Sequence, residues 1–74
     1  MMKKLKIYME NGEFVIEHVN SIGDSTKRSF LSENGLKESL DSYAAVIDQY
    51  ELEVSDELWA MVINYVSSEE FQRK

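Results

Sequence analysis

A chain of 74 residues with no cysteine, one histidine and a net charge of −6 has room for one domain and one core. It has no disulfide, thiolate zinc site or imidazole-rich metal site to reinforce that core. No stretch has the apolar length of a signal peptide or a membrane span, and proline and low-complexity runs are missing, so the composition predicts a single folded domain over residues 1–74, soluble and cytoplasmic, for which self-association or partner binding is the remaining stabilising route.

The chain opens with Leu5, Ile7 and Met9 on one parity, then Asn11-Gly12, then Phe14, Ile16 and His18. Asn-Gly between alternating apolar runs is a strong hairpin signal, because both residues tolerate the positive φ of a type I′ turn. A two-residue loop sets Met9 opposite Phe14, Ile7 opposite Ile16 and Leu5 opposite His18 on one face. The other face then carries Lys4, Lys6, Tyr8 and Glu10 against Glu13, Val15, Glu17 and Val19. Lys6 opposite Glu17 is a favourable cross-strand pair, and Glu10 opposite Glu13 is mildly unfavourable.

The second strand is expected to run to Ile22, where Gly23-Asp24-Ser25 marks a turn and Thr26 to Leu31 returns as a third strand. A two-residue loop would bring Leu31 to the inner face, and a three-residue loop with a bulge would bring Phe30 there. The second is preferred, since Phe30 buries more apolar area.

Ser32 then opens a helix, with Leu31 and Leu36 placed as a staple and Asn34 as a competing cap. Leu36, Leu40, Tyr43, Ile47 and Tyr50 recur at helical spacing, while Glu38, Asp41, Asp48 and Glu51 fall on another arc. Residues Glu51 to Val54 read as a short connector. Ser55 is the expected N-cap of a second helix, with Asp56 and Glu57 in its first turn and Val54 able to staple onto Trp59. That helix carries two apolar stripes, Leu58, Val62 and Tyr65 beside Trp59, Ile63 and Val66, and holds the only tryptophan. Ser67 with Glu70 forms a capping-box pattern at which the helix is expected to kink or restart, ending with Arg73 and Lys74. The fold expected is α+β: a three-stranded antiparallel meander followed by two helices packed on one face, in the order βββαα.

Chemistry-bearing constellations are sparse. His18 has no orienting partner or nucleophile in its local sequence, which places its neighbours on the opposite face of a strand, and it reads as structural. Asp56-Glu57 and Glu69-Glu70 read as first-turn helix acids. No calcium loop, P-loop or zinc spacing is present. The sequence therefore predicts no enzyme, catalytic residue, cofactor or metal site.

Charge is unevenly placed. Residues 1–32 hold five basic and four acidic side chains, and residues 33–74 hold three basic and ten acidic, with no lysine or arginine between Glu38 and Gln72. Such a stretch either keeps a small protein soluble or forms a docking surface for a cationic partner. Nucleic acid is a disfavoured partner: Lys3, Lys4, Lys6, Lys27 and Arg28, with Tyr8, could form a single-strand binding face, but Glu10, Glu13 and Glu17 share it. In size and composition the chain resembles small acidic phage-encoded antagonists of host defence, anti-CRISPR proteins and other DNA mimics among them. That resemblance implies an inhibitor that blocks the nucleic-acid-binding site of a larger protein.

The second helix has surplus apolar surface, which either the sheet and first helix cover between them or a partner does. Trp59 is the foremost contact residue, since tryptophan is enriched at interface hot spots. The leading expectation is a protein-binding module whose partner-binding residues are Glu38, Asp41, Asp48, Glu51, Glu53, Asp56, Glu57 and Trp59, acting on a larger protein with a basic surface and on no membrane. The alternative is a structural domain that forms a homodimer through the second helix.

Overall fold

The computed structural model describes residues 3–73. Strands β1 (Lys3–Glu10), β2 (Glu13–Val19) and β3 (Ser25–Phe30) are followed by helix α1 (Glu33–Asp41), a 3-10 turn (Ala44–Gln49), strand β4 (Tyr50–Val54) and helices α2 (Asp56–Val66) and α3 (Glu69–Gln72). The fold is α+β, but the sheet has four strands in the order β3-β2-β1-β4.

The first hairpin forms as its turn chemistry dictates. Asn11 and Gly12 both take positive φ, 52° and 79°, and every expected cross-strand pair is present, from Leu5 opposite His18 to Glu10 opposite Glu13. β2 stops at Val19, short of Ile22, because the Asn20 side chain accepts from the backbone N–H groups of Ile22 and Asp24 and closes a five-residue loop. That loop pairs Phe14 with Phe30, so Phe30 faces the core and Leu31 is left 85% exposed. Leu31 therefore makes no staple with Leu36, which is fully buried.

Two departures change the architecture. The stretch expected to connect the helices, Glu51 to Val54, belongs to β4, which pairs parallel to β1 with Leu5 opposite Leu52. The first helix, expected to continue through Tyr50, ends at Asp41. There the Ser42 hydroxyl donates to the Ser39 carbonyl at 2.6 Å, and the chain tightens into the 3-10 turn. The longer rise per residue of that turn helps carry the backbone toward the parallel pairing with β1. β3, α1 and β4 thus form a crossover from one edge of the sheet to the other.

Both major helices cover one sheet face. Leu5, Ile7 and Ile16 meet Leu36 and Leu40 of α1, Leu58 and Val62 of α2, and Phe71 of α3 in a single core. Ser32 caps α1 by accepting from the Gly35 N–H at 3.1 Å. Ser55 stands at the N-cap of α2 with extended backbone, but its hydroxyl makes no capping bond and is buried without a partner among the described residues. Its N–H instead extends the sheet ladder to the Ile7 carbonyl at 2.9 Å. The helix does restart after Val66, yet the cap is Ser68 rather than Ser67: its oxygen accepts from the Phe71 N–H at 3.2 Å. Lys74, expected at that helix end, lies outside the described residues. Of the two stripes on α2, Leu58 and Val62 are buried, whereas Trp59 is 52% exposed.

Candidate functional site

Residues of α1, α2 and α3 line an open groove of about 640 Å³. α1 contributes Lys37, Glu38 and Asp41, one turn apart in pairs, α2 contributes Met61 and Tyr65, and Glu70 enters from α3 because the chain turns at Ser67 and Ser68. Three carboxylates and one ammonium therefore line the groove. That ammonium is already engaged: Lys37 Nζ lies 3.2 Å from Glu33 and 5.4 Å from the centre of the Tyr65 ring. The groove is anionic, with Met61 and the tyrosine ring as apolar surface.

Tyr65 ties the groove together by donating its hydroxyl to Asp41 Oδ1. That bond, then burial and the charges of Asp41 and Glu70, push the Tyr65 pKa up to about 12, because a phenolate there would face carboxylates. The hydroxyl consequently remains a donor at neutral pH and fixes the separation of α1 and α2.

The expected partner-binding residues divide between two sides of the molecule. Glu38 and Asp41 line the groove. Glu51 and Glu53 do not: β4 alternates, sending Tyr50, Leu52 and Val54 toward the core and the two glutamates to the uncovered face of the sheet. There Lys4 Nζ lies 3.1 Å from Glu53, and its pKa is raised by this hydrogen bond and by the charges of Glu53 and Glu51. Asp48 is exposed on the 3-10 turn, and Asp56 and Glu57 are exposed at the start of α2. The carboxylates therefore form no single continuous exterior, because a strand, unlike a helix, separates neighbouring residues onto opposite faces. Glu70, read from the sequence as a first-turn acid, is one of the three groove carboxylates. Only the break at Ser67-Ser68 hinted at its position.

On the uncovered face the cations are interleaved with acids. Lys27, Glu17, Lys6 and Glu53 follow one another across the four strands in register. Lys27 lies 3.6 Å from Glu10, and the Tyr8 hydroxyl donates to Glu17 at 3.2 Å. Phosphate binding needs uncompensated positive charge, which this face lacks. At its margin a shallow depression of about 500 Å³ joins Tyr8, Leu52 and Val54 to the exposed ring of Trp59.

His18 is enclosed by aromatics, edge-on to Tyr43 and Tyr50 with ring centres 6.0 and 5.3 Å away. Its Nε2 lies 3.4 Å from the Tyr50 hydroxyl. Among the described residues, no three of histidine, aspartate and glutamate stand close enough to hold a metal ion, and no helix is long and apolar enough to cross a membrane. No protein family, curated protein or solved structure matches this chain.

Proposed function

We propose that this protein is a non-enzymatic binding module that docks its helical side on a basic patch of a larger partner, with the groove between α1 and α2 as the centre of contact. The observation that carries this reading is the convergence of Glu38, Asp41 and Glu70 on a groove whose one lysine is already paired with Glu33. A cationic side chain entering there meets several carboxylates at once, and Met61 and Tyr65 offer apolar contact to its stem. Because the remaining acids are dispersed, with Glu51 and Glu53 beside Lys4 on the far face, the geometry suits a compact cationic patch better than a long phosphate-binding channel. In its inhibitor form, as a DNA mimic or anti-CRISPR protein, the module would occupy a nucleic-acid-binding site of its partner.

The test is to capture the partner with the tagged chain and measure its affinity for purified variants as salt is varied. Replacing Glu38→Lys and Glu70→Lys together is expected to weaken binding at least about tenfold and to flatten the salt dependence, while Glu51→Lys leaves both near the parent values. Binding that ignores salt and the groove variants overturns the reading. Loss of binding when nucleic acid is added supports the inhibitor form.

A second reading rests on Trp59, which is 52% exposed beside Tyr8 and Val54 at the end of β4. In it the chain forms a homodimer through α2, burying that ring. Sedimentation at low micromolar concentration separates the two: a monomer in the parent removes the dimer, and a dimer lost on Trp59→Ser favours it.

A further inference from the structure

On the covered face of the sheet, beyond the core, β2 and β3 turn polar. The parity that brings Phe14, Ile16 and Phe30 inward continues into His18, Arg28 and Thr26, with Ile16 opposite Arg28 and His18 opposite Thr26. Ser39 and Ser42 at the end of α1, with Tyr43 just after it, face them across a cleft of about 330 Å³ whose apolar wall is the buried Ile16. Arg28 and Thr26 stay exposed at the mouth of this cleft, so the guanidinium is open to solvent and to a ligand.

Three features of the cleft favour a negatively charged occupant. No carboxylate lines it. Arg28 takes part in none of the ion pairs among the described residues, although the chain has 14 acids for 8 lysines and arginines. The hydroxyls of Thr26, Ser39 and Tyr43 have no hydrogen-bond partner among the described residues, whereas that of Ser42 is committed to the Ser39 carbonyl. The cleft therefore holds a forked guanidinium and three free hydroxyls at its rim, a donor set matched to the several lone pairs of an oxyanion. The positive charge of Arg28 is felt at the Tyr43 hydroxyl, where it opposes the upward push of burial and of Tyr50 on that group's pKa.

The carboxyl end of α1 opposes an anion through its dipole. Its carbonyls are partly engaged, however. Ser39 accepts from the Ser42 hydroxyl and N–H, and Leu40 accepts from the N–H groups of Ser42 and Tyr43. A formal guanidinium charge outweighs the residual half-charge of such a terminus.

We propose that this cleft binds a small oxyanion, a phosphate or a carboxylate group, in the fork of Arg28 with hydroxyls of Thr26, Ser39 and Tyr43 completing the shell. The site lies apart from the α1–α2 groove and does not depend on the protein-binding reading.

The full chain, labelled with nitrogen-15, is titrated with sodium phosphate, with sodium acetate and with sodium chloride at matched ionic strength, and backbone amide shifts are followed. Saturable shifts confined to the neighbourhood of Thr26, Arg28, Ser39 and Tyr43 are expected, with half-saturation on the order of millimolar, as befits a shallow site on an anionic protein. Saturation by phosphate alone assigns a phosphoryl ligand, and equal saturation by acetate assigns a carboxylate. Arg28→Gln is expected to weaken the binding at least about tenfold, and Arg28→Lys less, because charge remains while the fork is lost. Arg73→Gln, at the far end of the chain, is expected to leave it unchanged. Shifts that rise linearly and equally with all three salts, or an Arg28→Gln protein that titrates like the parent, overturn the proposal.

Discussion

Tyr65 on α2 donates its phenolic hydrogen to Asp41, the last residue of α1, so the two major helices are joined by a polar clasp above the core. The clasp works only while the phenol is protonated. The folded chain holds that proton up to a pKa of about 12, against an ordinary value of 10.0. The stabilisation is therefore complete below pH 10 and is lost as pH rises toward 12. Urea unfolding across this interval is expected to show a falling midpoint in the parent and a shallower fall in Tyr65→Phe, which has no phenol to titrate. Identical slopes in the two proteins would remove the clasp.

The three serines at helix starts are expected to respond differently to removal of their hydroxyls. Ser32→Ala and Ser68→Ala each lose a bond to a helix N–H and are expected to cost about 1 kcal/mol in urea unfolding. Ser55→Ala removes a buried hydroxyl with no described partner and is expected to be within about 0.5 kcal/mol of the parent or more stable. A cost at Ser55 equal to that at Ser32 would show that its hydroxyl is in fact satisfied.

Two glycines are expected to give opposite signs. Gly12 has φ of +79°, and a Cβ there meets nothing within 4 Å, so Gly12→Ala is opposed by backbone conformation alone and should cost about 1 kcal/mol. Gly35 lies in the first turn of α1, where an added Cβ comes to 3.4 Å from the Phe30 Cβ, an ordinary contact. Gly35→Ala should therefore gain about 0.5 kcal/mol through helix propensity. Thermal unfolding of the two variants decides both signs.

Phe71 and Trp59 are expected to reverse the ranking that their sizes suggest. Phe71 sits on a four-residue helix yet is 2% exposed, packed edge-on against Tyr65 with ring centres 5.4 Å apart. Phe71→Ala is expected to cost about 3–5 kcal/mol, a large part of the stability of so small a domain. Trp59→Ala, with half its surface already in water, should cost under about 1.5 kcal/mol. Circular dichroism on heating separates them, and equal losses would contradict the burial described.

Local chemistry made some elements legible and hid others. The Asn11-Gly12 hairpin could be read in full because turn type and strand alternation specify the same register. β4 could not: Tyr50, Leu52 and Val54 do alternate with Glu51 and Glu53, but its partner begins at Lys3, and nothing within a five-residue window marks so distant a pairing. The stripe from Leu36 through Tyr50 named the right side chains for packing, since Tyr43, Ile47 and Tyr50 do border the core. It misassigned the backbone that brings them there, because spacing reports which residues need covering and not the path between them. The same error placed Glu51 on a helical arc with Glu38 and Asp41, and so overstated the continuity of the acidic surface. On α2 the two stripes could not be ranked from spacing alone: Leu58 and Val62 fill the core, and Trp59, read as a partner contact, is half-exposed.

The parallel pairing of β1 with β4 sets an order on the birth of the molecule. Of the described strands β1 is made first, and in the finished sheet it is flanked by one neighbour that follows at once and another that arrives only after Tyr50 has been made. Until then β1 exposes a row of unpaired amides and carbonyls on a strand that carries Leu5 and Ile7. A chain arrested before β4 is therefore a sticky intermediate that invites pairing with its own kind, and closure of the sheet becomes the slow, non-local step of folding.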